Sequence, residues 1–134
     1  MNTIADILDR HDVLPCSSLR LQYKAGQARV SLPNGRSQTV AICRDGQWYR
    51  MSSAVLGAVE TARVIGDDQS FWWTWQRNAH TDLVNFTLDK QGRLVGRVDQ
   101  LAATMQEDEL LFAISRLAIE CDRLEYLLVG RDRF

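Results

Sequence analysis

Between positions 106 and 129 the chain carries a long proline-free stretch whose apolar residues recur every three or four positions, followed by Gly130. An α-helix is the element that puts this period on one face. At 100° per residue, Leu110, Ile114, Leu117, Cys121, Leu124 and Leu128 fall within about 40° of one line, a core seam. Acidic Glu107, Asp108 and Glu109 complement the helix dipole at the start, and Gly130 suits the stop. Nearly opposite the seam, Phe112, Ile119 and Tyr126 recur every seven residues, flanked by Ser115, Arg116, Asp122 and Arg123. A helix packed on one side of a sheet should be polar there. A second cover is therefore expected: another helix of the same chain, a second subunit or a client polypeptide.

The sheet for this helix to lie on is written in turn signals. Ala25-Gly26, Asn34-Gly35 and Asp45-Gly46 follow at short, regular spacing, and the last two dipeptides readily take the positive φ values of hairpin turns. Between them the chain alternates. Leu19, Leu21 and Tyr23 oppose Arg20, Gln22 and Lys24; Ala28, Val30 and Leu32 follow; Val40 and Ile42 oppose Thr39, Ala41 and Cys43; Trp48 and Tyr49 point to opposite faces. The pattern predicts a four-strand antiparallel meander. A second hairpin is expected from Val84, Phe86 and Leu88, the turn Asp89-Lys90-Gln91-Gly92, and Leu94, Gly96 and Val98, with Gly92 in the left-handed conformation.

Two shorter helices complete the reading. Thr3 followed by Asp6, with Ile4, Ala5, Ile7 and Leu8 as a stripe, predicts a helix over 3–10. Asp67 or Asp68 as N-cap, with Phe71, Trp72 and Trp75 on one side, predicts another over 68–77. The whole, 1–134, reads as one α+β domain: an antiparallel sheet of a four-strand meander plus a C-terminal hairpin, an N-terminal helix, a short middle helix and a long C-terminal helix.

Composition narrows the function. With 16 Lys+Arg against 17 Asp+Glu, the formal charge is −1, which argues against a dedicated nucleic-acid binder. No apolar run approaches the roughly 18–20 residues of a transmembrane helix, and the start lacks signal-peptide character, so a cytoplasmic protein without a membrane partner is expected. Cys16, Cys43 and Cys121 show no C-x-x-C spacing, so neither a disulfide framework nor a zinc ribbon is expected. Cys43 and Cys121 read as small core residues. None of the common nucleophile, zinc-protease or phosphate-loop motifs occurs. Four tryptophans exceed what a small core needs, and consecutive Trp72 and Trp73 cannot face the same way on a helix. Trp72, Trp73 and Trp75 are thus candidates for a client or subunit contact.

The C-terminal half resembles the YbjN-type and type III secretion chaperone-like superfamily. The resemblance is carried by Asn78, by Thr81-Asp82-Leu83-Val84-Asn85-Phe86-Thr87-Leu88-Asp89, by Gly92-Arg93-Leu94-Val95-Gly96-Arg97-Val98, by Glu107-Asp108-Glu109-Leu110 and by Cys121-Asp122-Arg123-Leu124-Glu125-Tyr126-Leu127-Leu128. It implies an antiparallel sheet with helices on one side and homodimers that hold partner polypeptides. It also implies no enzymatic activity and no cofactor; from the spacing of the cysteines and histidines, no metal is expected either. On that basis Phe112, Ile119 and Tyr126 are expected to mediate self-association. The alternative is a small-ligand binder or enzyme with a pocket between sheet and helices, lined by Arg77, His80 and Asp82.

Overall fold

The computed structural model describes residues 7–8, 13–14, 19–64 and 83–129. Along them run β1 (Val13–Leu14), β2 (Leu19–Lys24), β3 (Gln27–Ser31), β4 (Ser37–Asp45), β5 (Trp48–Leu56), α1 (Ala58–Val64), β6 (Asn85–Leu88), β7 (Leu94–Leu101) and α2 (Glu107–Val129). The strands form one sheet in the order β1-β2-β3-β4-β5-β7-β6, with every pairing antiparallel. Strands β2 to β5 follow one another as consecutive hairpins. The first turns through Ala25 at φ 53° and Gly26 at φ 78°, the two positive values of a type I′ turn.

The second hairpin enters the sheet in reverse. β7 pairs with β5, which leaves the four-residue β6 at the edge. Burial accounts for this order: Leu94, Val95, Gly96 and Val98 of β7 are all buried, as an interior strand requires, whereas Asn85 and Thr87 of β6 are exposed. Opposite Leu94 the ladder of β5 shifts between Ala54 and Leu56, and this irregularity lets both Val55 and Leu56 face inward.

Helix α2 crosses one face of the sheet and packs on β4, β5 and β7. Leu110, Ile114, Leu117, Cys121 and Leu124 meet Val30, Val40, Met51, Phe86, Leu94 and Val98 in a single core. Leu128, the last member of the predicted seam, is partly buried. Gly96 sets how closely the layers approach. A Cβ on it would collide with Cys121 Sγ and stand 3.1 Å from Leu117 Cδ1 and 3.3 Å from Phe86 Cε1. Gly92, by contrast, serves the hairpin turn at φ 78°.

Helix α1 has no counterpart among the elements expected from the sequence. Its seven residues, AVETARV, contain two Val and a Thr and repeat no apolar stripe. A tertiary bond holds it: buried Thr61 donates its hydroxyl to the Gly57 carbonyl at 2.7 Å and accepts the Leu94 N–H at 3.2 Å. Ile7 and Leu8 of the predicted N-terminal helix are helical and buried in the core; the rest of that helix, and the predicted helix over 68–77, lie outside the described residues. One expectation is corrected. Cys43 is exposed, because β4 turns Val40 and Ile42 to the helix and sends Thr39, Ala41 and Cys43 to the other face.

Candidate interaction surfaces

The far side of α2 is where the second apolar stripe falls, and the structure divides that stripe in two. Phe112 is 48% exposed and Tyr126 44% exposed, whereas Ile119 leans against the core. Burial on α2 therefore reaches well beyond the seam and also takes in Leu111, Ala118, Ser115 and Asp122. At Asp122 the cover comes from the turn between β3 and β4. It rises beside the helix and clasps Asp122: Arg36 Nε donates to Oδ1 at 2.8 Å, Arg36 Nη2 to Oδ2 at 2.9 Å, and Asn34 Nδ2 to Oδ2 at 3.1 Å. This is a two-pronged carboxylate clamp. The hydrogen bond to Asp122, working against burial, holds the Arg36 guanidinium above its ordinary pKa. The same guanidinium lies 5.0 Å above the Tyr126 ring.

Between this turn and the helix runs a groove of about 390 Å³, lined by Leu19, Leu32, Pro33, Ile119, Asp122 and Tyr126. Asn34, Arg36 and Arg123 join Asp122 as its polar lining. Leu127, 53% exposed, extends the apolar surface on the other flank of α2. Sequence reasoning misses both Asp122 and Leu127 as site residues. Asp122 is legible only as a polar flank, because its partners come from a turn 86 residues away.

Under the helix a polar line crosses the core. Ser53 Oγ donates to Gln38 Oε1 at 2.8 Å, and Gln38 Nε2 donates to Glu125 Oε1 at 3.3 Å. The Cys121 thiol donates to the Ser53 carbonyl at 3.6 Å, and burial pushes its pKa up to about 12. Such a thiol stays protonated, so its chemistry is packing rather than nucleophilic attack. Among the described residues no group of three His, Cys, Asp or Glu is placed to hold a metal ion. No helix among them is long and apolar enough to cross a membrane.

On the opposite face of the sheet the outward residues of β2, β3 and β4 are exposed. A shallow depression of about 480 Å³ there is lined by Ala41, Cys43, Arg50, Arg93, Val95 and Arg97. Arg50 pairs with Asp45 at 2.9 Å and with Asp99 at 3.5 Å, and Arg97 reaches the same Asp99 at 3.1 Å. These pairs neutralise that end of the face. Trp48, 40% exposed, stands across from Leu101 at the end of β5 and β7. Trp72, Trp73 and Trp75, and with them Arg77, His80 and Asp82, lie outside the described residues.

The fold is shared with chains of three solved complexes, two of them described as type III secretion proteins. The chain is similar to a chain of the ExsC–ExsE complex, at 17% identity and a TM-score of 0.56, over 93% of this chain and 90% of that one. It is similar to a chain of the ExoU–SpcU complex of the Pseudomonas aeruginosa type III secretion system, at 18% identity and a TM-score of 0.59, over 94% and 98%. A chain in the structure of the Yersinia pestis type III secretion chaperone SycH with a fragment of YscM2 matches at 12% identity and a TM-score of 0.54, over 94% and 99%. At such identities the likeness establishes the fold: α+β, type III secretion chaperone-like. No family model matches the sequence, and no curated protein does.

Proposed function

We propose that the protein is a non-enzymatic protein-binding module, chaperone-like or regulatory, that acts in the cytoplasm as a homodimer and holds a partner polypeptide. The observation that carries this reading is the exposure of Phe112 and Tyr126 beside the apolar groove, on a helix whose opposite seam is buried from Leu110 to Leu124. Exposed aromatic residues next to a groove suit a macromolecular contact better than solvent. The fold's occurrence in chaperone–partner complexes supports the same reading, as does the inert Cys121 thiol. In this proposal Phe112, Ile119 and Tyr126 form the self-association surface, with Ile119 as its partly buried root. Trp72, Trp73 and Trp75 contact the partner, and the chain is a YbjN-type member of the superfamily.

Light scattering on the wild type and on Phe112→Glu/Tyr126→Glu tests it. The expected result is a dimer for the wild type and a monomer with unchanged circular dichroism for the variant. Both changes fall on exposed positions, and a carboxylate at 126 meets Arg36, so the fold should survive them. A monomeric wild type would refute the homodimer.

A further inference from the structure

The charges of this nearly neutral chain are sorted between its two layers. Helix α2 carries six acids, Glu107, Asp108, Glu109, Glu120, Asp122 and Glu125, against Arg116 and Arg123. The open face carries the opposite sign. On β2 and β3 the outward residues are Arg20, Gln22 and Lys24, and Gln27, Arg29 and Ser31, all exposed. Arg29 sits directly across from Gln22, so Arg20 and Lys24 are its two diagonal neighbours, about 7–8 Å away. Three like charges thus crowd one patch. Among the described residues, no ion pair involves Arg20, Lys24 or Arg29; the carboxylates along this face, Asp45, Asp89 and Asp99, are engaged by Arg50, Arg93 and Arg97.

Beside the cations the floor is low and rich in donors. Thr39 lies opposite Arg29, and Ala41 lies opposite Gln27 and Ser52, which gives exposed amides and hydroxyls beside small side chains. No aromatic residue stands on this part of the face to stack a base, as single-strand nucleic-acid binders require. Spaced guanidinium and ammonium groups over a flat floor match carboxylates strung along an extended backbone.

From this complementarity we infer that the open β2–β3 face, centred on Arg29 between Arg20 and Lys24, docks an extended acidic segment of a protein partner. The inference rests on the proposed protein-binding role and gives that partner a chemistry. It also separates partner docking from self-association, since the patch and the Phe112–Tyr126 stripe are on opposite layers.

Fluorescence anisotropy with a short labelled peptide alternating Glu and Thr, its Gln-for-Glu counterpart and a single-stranded thymidine oligonucleotide tests the inference. The wild type should bind the Glu peptide saturably, with an affinity that falls as salt rises, and should not bind the Gln peptide. Arg29→Glu places a carboxylate between Arg20 and Lys24. That variant should keep its thermal midpoint or raise it, and should lose affinity for the peptide roughly tenfold or more. Arg63→Glu, exposed on α1, the helix bonded to Leu94 of β7, should bind as the wild type does. Equal binding by wild type and Arg29→Glu, or no binding, overturns the proposal. Tighter binding of the oligonucleotide overturns it in favour of nucleic acid. Growth beyond a dimer in light scattering that Arg29→Glu abolishes overturns it in favour of a second copy presenting its acidic helix. A dimer that persists in the same samples while peptide binding fails leaves the self-association reading standing, so the two failures are told apart.

Discussion

The two faces of the sheet are built from the same strands yet obey different physics. On the helix side, Val30, Val40, Met51 and Val98 are fully or almost fully buried against α2, and even polar Ser53 and Gln38 are buried and bonded to each other. On the open side the same strands present Arg29, Thr39, Ala41 and Ser52, with charge left over. Stability resides on the first face through area and close fit. The second contributes little to folding, so its residues are free to serve recognition. The contrast teaches that a period-two strand is two sequences interleaved, one answering to packing and the other to a partner.

Three substitutions test how sharp that division is. Leu117→Ala, at the centre of the covered face and fully buried, should cost about 2–5 kcal/mol in chemical denaturation; a loss below about 1 kcal/mol would mean the helix–sheet interface is not the core. Gly96→Ala comes next, since the added methyl must displace Cys121 Sγ and crowd Leu117 and Phe86; a loss of about 1–3 kcal/mol is expected. A neutral Gly96→Ala would show that the layers can part without penalty. The smallest effect belongs to the open face: Cys43→Ser should change stability by less than about 0.5 kcal/mol. In a Cys16→Ser background, a thiol reagent should label Cys43 in the folded protein and reach Cys121 only on unfolding. Prompt labelling of Cys121 would break the comparison, because burial is what holds its thiol near a pKa of 12.

Much of the covered face is legible in the residues alone. The alternation of β2 to β5, the Gly92 turn and the seam of α2 can be read from residues within a turn or a strand of one another. The candidate site is legible only in part. Phe112 and Tyr126 stand out by their seven-residue spacing, yet nothing local shows that Ile119 leans inward or that Asp122 is clasped by Arg36. Cys43 misleads because a cysteine among strand residues is usually inside, and only the phase of β4, pinned by Val40 and Ile42, decides the matter. The cationic patch is half visible. Arg20, Gln22 and Lys24 can be placed on one face, but that Arg29 sits between Arg20 and Lys24 depends on the register of β2 with β3.

By itself, then, the sequence determined the elements with strong periods: the long helix, the meander and the second hairpin. Short-range sterics and the burial of one face specify these without reference to distant residues. Tertiary structure alone decided the insertion of β7 between β5 and β6, the existence of α1 and the clamp from the β3–β4 turn onto Asp122. The physical reason is range. A hydrophobic period is recorded in neighbours three or two positions apart, whereas Thr61 bonding Leu94, or Arg36 bonding Asp122, joins positions that no local pattern couples.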